Sequence, residues 1–356
     1  MNYILEKKYF ILTVFCLIVV SFFVGRSLIS KDSNESIKIE NVALAEVPTT
    51  SIVSAKEYDD KVLSLLHTAS SAKSTSTKST STSSLWPTKS PRPIAGAILP
   101  FKRVVAYYGN LYSTRMGVLG QYPADEMLRR LNVEVKKWES ADPETPVQPA
   151  LHYIVTTAQE SAGKDKKYRL RMPDSEIDKV IKLAEKANAI VFLDFQVALS
   201  NVQTEIPVYE KYLKMPQVHL GLDPEFSMKG GQKPGTVIGT MNASDINYAA
   251  NYLAKIVKEN NLPPKILVIH RFTEDMVTGY KKITPLPEVQ IVMDMDGWGF
   301  KAKKINTYKQ VIYSEPVQFT GFKLFYKNDV KGTTSKLMTP AEVLKLSPKP
   351  IYIQYQ

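Results

Sequence analysis

Carboxylate side chains collect at the ends of apolar segments in the C-terminal half of this 356-residue chain. Asp223 and Glu225 end one such segment, Asp294 and Asp296 end another, and Asp194 lies near the end of a third. Carboxylates buried close together acquire raised pKa values, which is a condition for general acid and base chemistry. We therefore predict that Glu225 is a general acid whose charge state is set by Asp223. Asp294 or Asp296 is then the base or nucleophile.

Other polar and aromatic side chains occupy similar positions and are candidates for binding a substrate. Aromatic rings beside carboxylates offer flat apolar faces to sugar rings and other amphipathic ligands. The predicted substrate-binding residues are Tyr108, Asn110, His152, Asp194, Gln196, His270, Trp298, Lys323 and Tyr326. A structural role is the alternative: a carboxylate can cap a helix or pair with Arg or Lys, and His152 can be a core histidine.

A metal site is a second interpretation of the same region, because oxygen-preferring divalent ions accept these ligand types. Its candidate ligands are Asp194, Asp223, Glu225, His270 and Asp294. The chain contains no HExxH motif, no Gly-x-Ser-x-Gly elbow, and no glycine-rich phosphate or dinucleotide loop after any predicted strand. The prediction is therefore an active site with no metal and no cofactor.

The elements that position these residues begin at Lys102, where short apolar runs start to alternate with amphipathic stretches. Most runs are rich in β-branched residues and nearly continuous in apolar character, as strands buried on both faces are. The eight predicted strands are Arg103–Asn110, Ala150–Gln159, Ala189–Val197, Gln217–Glu225, Lys265–Phe272, Val289–Asp296, Val317–Tyr326 and Pro350–Tyr355.

Helical periodicity fills the gaps between the strands, and Thr339 before Pro340 is a typical N-cap. The predicted helices are Asp125–Glu139, Asp174–Ala187, Glu205–Lys214, Ser244–Asn260, Thr273–Lys282, Lys303–Ser314 and Pro340–Leu346. This count and length predict an α/β fold, a (β/α)8 TIM-like barrel that ends at strand eight. Its closing helix is absent or comes from the segment before residue 103. An open doubly wound sheet is the alternative, but the missing dinucleotide fingerprint favours the barrel.

The N-terminal part of the chain has a different character. Residues 1–30 hold an apolar run, Tyr9–Gly25, after Lys7 and Lys8, which predicts a cytoplasmic tail and an uncleaved transmembrane signal anchor. Residues 31–101 form the predicted extracytoplasmic linker, rich in Ser, Thr and Lys and disordered, with a short helix near Tyr58–His67. Residues 102–356 are the barrel, placed outside the cytoplasm at the cell membrane.

Composition limits the partners. A single cysteine excludes an intrachain disulfide scaffold, and 46 Lys and Arg against 35 Asp and Glu give a formal net charge of +11. The excess is diffuse and no basic helix concentrates it, which argues against nucleic acid as a partner. Outside a membrane this charge suits an anionic cell wall, so the expected partner is a wall or surface polysaccharide.

Several motifs together resemble a family of secreted or lipid-anchored barrel proteins that is widespread in Gram-positive bacteria. The resemblance covers Lys102–Gln356 and implies an extracytoplasmic barrel without specifying a reaction. Its motifs are YYGN near Tyr107, MGVLGQYP at 116–123, PALHYIVT at 149–156, VFLDFQ at 191–196, HLGLDPEF at 219–226, IHRF at 269–272, DMDGWG at 294–299 and the C-terminal PIYIQYQ.

A looser resemblance links strands four and six to chitinase-like glycosidases. Those enzymes end strand four in Asp-x-Glu, with the Glu protonating the leaving oxygen, as Asp223-Pro224-Glu225 would here. They carry Met-x-Tyr-Asp on strand six, where this chain has Met295 in place of the tyrosine. Together these resemblances imply a glycoside hydrolase-like enzyme acting on cell-wall or capsule polysaccharide. A non-catalytic barrel that binds a glycan or a protein is the main alternative, and a metal-dependent hydrolase is a third.

Overall fold

A computed structural model describes residues 54–66, 85–332, 334 and 336–356. Eight parallel strands form a closed barrel, as predicted. Closure is visible at Tyr107, which lies in register with Leu151 on the next strand and with Tyr355 on the last. The barrel strands are β1 Arg103–Gly109, β2 Val147–Ala158, β3 Ile190–Phe195, β4 Val218–Leu222, β5 Lys265–Arg271, β6 Val289–Met295, β7 Phe319–Leu324 and β8 Tyr352–Tyr355.

The strands are apolar on both faces because each face packs against a different layer. Inward residues such as Ala106, Ile266 and Val268 form a cluster inside the N-terminal half of the barrel. Outward residues such as Val105 and Leu267 pack against the surrounding helices in a larger cluster. The period of two along each strand therefore separates an inner and an outer core, and only the inner face reaches the barrel axis.

The three long predicted helices are confirmed with small shifts of their ends, at Ala124–Ala141, Asp174–Lys186 and Ala243–Glu259. Each presents its apolar stripe to the outer face of the barrel. The third begins with a capping box formed by Asn242 and Asp245.

The shorter predicted helices are less regular. Glu205–Lys214 is broken into turns around Pro207, and Lys303–Ser314 is an α-helix at Lys301–Thr307 that continues as a π-helical turn. The prediction of a helix at Thr273–Lys282 is wrong, because 3-10 turns flank a two-residue strand, Val277–Thr278. The backbone carbonyls of this loop accept hydrogen bonds from the buried Arg271 guanidinium, which holds it in that shape.

The N-terminal end of the barrel is closed by chain that precedes β1. Leu99 is fully buried beneath the strands, and both atoms of the Gln290 side-chain amide bond to the Leu99 backbone, at 3.1 Å and 2.5 Å. The helix Ala55–Ser64 adds Tyr58 to the same inner cluster, and Lys349 donates its backbone N–H to Leu65. These contacts correct the predicted boundary at 101/102, because described residues before it belong to the folded unit. The described residues before β1 cover the N-terminal end of the barrel interior, which we call the floor. They do not take the place of a closing helix in the outer layer.

The predicted anchor in residues 1–30 and most of the predicted linker lie outside the described residues. Within residues 54–66, 85–332, 334 and 336–356, none of the helices has the length and apolar character needed to cross a bilayer.

Candidate functional site

Each barrel strand contributes a buried polar side chain at or just after its C-terminal end, except β2, which contributes His152 from its middle. Several of these residues contact partners on strands that are not neighbours, which is possible only across the barrel interior. Asp194 on β3 meets His270 on β5, and His152 on β2 meets Tyr352 on β8. The eight residues are Tyr108, His152, Asp194, Asp223, His270, Asp294, Lys323 and Gln354. The site thus lies where (β/α)8 barrels place their active sites.

Two glycines make room for this polar layer. Gly221 on β4 is level with Asp194, and a Cβ there would lie 2.4 Å from His152 Nε2 and 2.5 Å from Asp194 Oδ1. Gly321 on β7 is level with Asp294, and a Cβ there would lie 2.5 Å from Asp294 Oδ1. Glycine is required at both positions because any larger residue would displace a buried carboxylate.

His270 lies at the centre of the carboxylates. Its Nε2 is 3.5 Å from Asp194 Oδ1, and its Nδ1 is 3.3 Å from Asp294 Oδ2 and 3.2 Å from Asp296 Oδ2. Burial alone would lower the pKa of His270, but these carboxylates outweigh it and raise the pKa well above its usual value. The centre of the site therefore attracts positive charge.

Asp194 connects three of the strands. Its Oδ2 accepts a hydrogen bond from the Tyr108 hydroxyl at 3.0 Å, and its Oδ1 is 3.3 Å from His152 Nε2. Burial opposes ionisation of Asp194, yet His270 and His152 together hold its pKa below the usual range. Asp194 is therefore a buried anion.

His152 is held from its other nitrogen. Its Nδ1 is 2.6 Å from the Tyr352 hydroxyl, which in turn accepts a hydrogen bond from Gln354 Nε2 at 2.7 Å. Its ring stacks on Phe192 at 5.0 Å between centroids. Burial lowers the pKa of His152 to about 4, despite Asp194, so the imidazole is neutral at pH 7.

Asp223 and Glu225 follow β4 together, as the sequence predicts. Asp223 Oδ1 accepts the backbone N–H of Glu225 at 3.2 Å, and its Oδ2 accepts from Gln196 Nε2 at 3.0 Å. Burial raises the pKa of Asp223 to about 7. Glu225 is half-buried on the 3-10 turn Pro224–Phe226, and burial, Asp223 and Asp296 raise its pKa well above the usual value.

Asp294 and Asp296 differ in accessibility and partners. Asp294 is 0 % exposed and faces His270, and burial raises its pKa. Asp296 is 8 % exposed, and both of its oxygens lie 3.0–3.1 Å from Lys323 Nζ. Burial opposes its ionisation, but Lys323 and His270 lower its pKa overall. Of the two predicted bases, Asp296 is the one nearer solvent and more readily ionised.

Three of the predicted substrate-binding residues have other roles. Tyr326 packs outside the barrel, stacked on Tyr355 and hydrogen-bonded to Glu134 at 3.0 Å, because it follows β7 on the same side as the outward residue Leu324. Asn110 is buried and bonds to the Ile154 carbonyl and the Tyr112 N–H, which fixes a loop. Tyr108 is in the site, but only 3 % of it is exposed and Lys323 Nζ lies 3.9 Å from its ring centroid, so no flat face is open to a sugar.

The remaining predictions fall at the mouth or in its walls. Gln196 lies beside Asp223, and Trp298 is half-buried on the loop after β6, with Lys303 Nζ 5.2 Å from its ring centroid. Sequence reasoning missed Tyr352, Gln354 and the two glycines. The available signal was the alternation of inward and outward positions along β7 and β8. Gln354 is level with Lys323, which faces the site, so Gln354 should face it too.

Three residues of the polar layer can also act as metal ligands. One donor atom from each of His152, Asp194 and His270 lies within 4.8 Å of the others.

Comparison with known proteins assigns neither a family nor an activity. No protein-family model and no curated protein matches the sequence. Among solved structures the chain is similar to wild-type HPPK-DHPS from Plasmodium falciparum, crystallised with pteroate, at 11% identity and a TM-score of 0.33. That match covers 71% of this chain and 44% of the other chain. The functional conclusion therefore rests on this chain's own residues.

Proposed function

We propose that this chain is a glycoside hydrolase-like enzyme, in which Glu225 protonates the leaving oxygen and Asp296 is the base or nucleophile. The observation that carries the proposal is the arrangement of these two residues at one barrel mouth. Glu225 follows β4 and Asp296 follows β6, and the charge of Asp296 is one of the causes that raise the pKa of Glu225. A pair of carboxyl groups that flank the scissile bond is the common requirement of glycoside hydrolysis.

The two carboxyl groups have opposite electrostatic surroundings. Glu225 has two acidic neighbours, Asp223 and Asp296, and its pKa is raised, which keeps a proton available for a leaving group. Asp296 is bound by Lys323 and its pKa is lowered, which keeps it ionised. Environments that push two pKa values apart assign the acid and base roles, so Glu225 is the acid and Asp296 is the base or nucleophile.

The residues around the pair have positioning roles. Asp223 binds the Glu225 N–H, and Gly239 donates its N–H to the Glu225 carbonyl at 2.7 Å, so the turn that carries the acid is held at both ends. Trp298, half-buried on the neighbouring loop, supplies an aromatic surface for a sugar ring. Lys323 holds the base in place through both of its oxygens.

The proposed substrate is a cell-wall or capsule polysaccharide, and the proposed location is the outer face of the cell membrane. The apolar run Tyr9–Gly25 supports an anchor, and the net charge of +11 suits an anionic wall polymer. The resemblance to secreted Gram-positive barrel proteins and to chitinase-like glycosidases agrees with this location and chemistry.

The test is an assay of hydrolysis on purified wall and capsule polysaccharides, in which the release of reducing ends is measured. Wild-type chain should cleave one of them, and Glu225→Gln should lose that activity while keeping the same thermal unfolding midpoint. Glu139→Gln, on the exposed side of the helix Ala124–Ala141, is the matched control and should stay active. Full activity of Glu225→Gln would overturn the assignment, and tight polysaccharide binding without turnover would identify a binding barrel instead.

A further inference from the structure

We infer that His152, Asp194 and His270 form a binding site for a divalent transition metal ion of the Zn²⁺ type. The three residues project into the barrel from β2, β3 and β5, below the carboxyl groups proposed to act on a sugar. The inference goes beyond the proposed hydrolysis and does not depend on it. It stands on the spacing, orientation and surroundings of the three donor atoms.

The spacing is that of ligands around one ion. His152 Nε2 and His270 Nε2 lie 3.3 Å and 3.5 Å from the same oxygen, Asp194 Oδ1. Ligands about 2.0–2.2 Å from a tetrahedral ion are separated from each other by about 3.3–3.5 Å. All three donor atoms lie within 4.8 Å of one another, so a single ion can reach them.

The same three atoms lack hydrogen-bond partners. His152 Nε2, His270 Nε2 and Asp194 Oδ1 are fully buried, and none makes a hydrogen bond of acceptable geometry. Leaving a buried polar atom without a partner costs about 1–3 kcal/mol. Three such atoms facing one point are best satisfied by a common ligand, and a metal ion satisfies all three together.

The other ring nitrogen of each histidine faces an oxygen atom. His152 Nδ1 contacts the Tyr352 hydroxyl at 2.6 Å, and His270 Nδ1 lies 3.2–3.3 Å from Asp296 and Asp294. Hydroxyl and carboxylate oxygens behind a histidine are the usual outer partners of metal-binding imidazoles. An ion at this point would take the place of the Nε2 proton of His270, so that each imidazole keeps its proton on Nδ1 and coordinates through Nε2.

Space and charge agree with an ion at this point. Gly221 provides the space, since a Cβ there would come within 2.4–2.5 Å of two of the donor atoms. The carboxyl groups that contact the two histidines belong to Asp194, Asp294 and Asp296, and these acidic surroundings favour a cation. Two imidazoles and one carboxylate form a donor set suited to Zn²⁺ and Co²⁺.

The experiment measures metal binding by the purified full-length chain after treatment with a chelator. Equilibrium dialysis against Zn²⁺ should give one tightly bound equivalent, and Co²⁺ should give the intense visible absorption of a tetrahedral site. Asp194→Asn and His270→Gln each remove a ligand, and both should abolish stoichiometric binding. Tyr352→Phe removes only an outer partner, and should weaken binding about 10–100-fold.

The matched control is His219→Gln, which alters a buried histidine on β4 that is not one of the ligands. Its Nδ1 accepts a hydrogen bond from the Ile266 N–H at 3.0 Å. It should bind Zn²⁺ like wild type, and so should Glu225→Gln. Circular dichroism checks that each variant is folded. If a ligand variant does not fold, the test is the unfolding midpoint of the wild-type chain. Zn²⁺ should raise this midpoint, and a chelator should reverse the rise. The inference is overturned if wild-type chain binds no Zn²⁺ or Co²⁺, or if the folded ligand variants bind them as tightly as wild type.

Discussion

The two ends of the barrel interior are built from the same strands but have opposite chemistry. At the N-terminal end, inward residues such as Val268 and Val292 are apolar, and Leu99 closes the floor of the barrel. At the C-terminal end, the next inward positions on the same strands are His270 and Asp294. A step of two residues along a strand thus leads from an apolar core that stabilises the fold to a polar layer in which charged groups are buried away from water. The contrast identifies which substitutions should change activity and which should change stability.

The largest effect should come from the polar end. Asp296→Asn removes the proposed base or nucleophile and should lower the hydrolysis rate by about 10²–10⁴-fold, as expected for loss of acid or base catalysis. Initial rates on the cleaved polysaccharide measure this. Asp60→Asn, on the exposed helix Ala55–Ser64, should keep the wild-type rate. An unchanged rate for Asp296→Asn would transfer the base role to another residue.

The apolar end should show the converse. Leu99→Ala opens a cavity under the barrel and should reduce the free energy of unfolding by about 2–5 kcal/mol. Urea unfolding measures the loss, and the hydrolysis rate of the remaining folded protein should match wild type. A loss of rate without a loss of stability would mean that the floor of the barrel communicates with the site.

Gly221→Ala tests the layer between the two ends. The added methyl group would come within 2.5 Å of His152 and Asp194, so it should cost about 1–3 kcal/mol by overpacking. It should also reduce Zn²⁺ binding, because it occupies space beside two ligand atoms. The combination of urea unfolding and equilibrium dialysis checks both effects. Wild-type stability together with wild-type metal affinity would show that the glycine is not needed there.

The change in stability over a single pH unit should be smaller, with two opposite slopes of at most about 1.4 kcal/mol per pH unit. The pKa of Asp223 is about 7 in the folded state against an ordinary value of 3.8. Between pH 3.8 and pH 7 the folded state therefore keeps a proton that the unfolded state has released. Asp223 therefore makes stability fall as pH rises from about 4 to 7. Unfolding of Asp223→Asn should lack this contribution, and a wild-type slope would contradict it.

Lys265, at the N-terminal end of β5, should act in the opposite sense. Burial lowers its pKa to about 7 from 10.5, and its Nζ donates to the Met215 and Val218 carbonyls. Between these pH values the unfolded state binds the extra proton, so stability rises as pH increases from about 7 to 10. Lys265→Met should flatten that rise in urea unfolding. A rise that persists in the variant would assign it to another group.

Much of this architecture was predictable because it depends on regular periods. Eight apolar runs and three amphipathic helices specify the barrel and its outer layer, and polar residues at strand ends indicate the mouth. The helix predicted at Thr273–Lys282 was wrong because the buried Arg271 takes the backbone carbonyls that a helix would need. The floor was missed because Leu99 follows a low-complexity segment, and its burial depends on a distant partner, Gln290.

The site was predicted in composition but only partly in geometry. Asp194, Asp223, His270 and Asp294 converge as expected, since strand ends meet in any closed barrel. Tyr326 was misplaced because the alternation that turns Lys323 inwards turns Leu324 and Tyr326 outwards. The roles of Gly221 and Gly321 depend on distances between strands, which residue types along one strand do not reveal.

The most direct test of the proposed chemistry is a crystal structure of Glu225→Gln with a bound oligosaccharide of the polysaccharide that wild type cleaves. The predicted result places the scissile oxygen against residue 225, with Asp296 on the opposite side of the sugar. The two side-chain carboxyl positions should then be about 5–5.5 Å apart for a retaining enzyme or about 6.5–9.5 Å for an inverting one. An oligosaccharide bound away from this mouth, or a separation well beyond that range, would contradict the account.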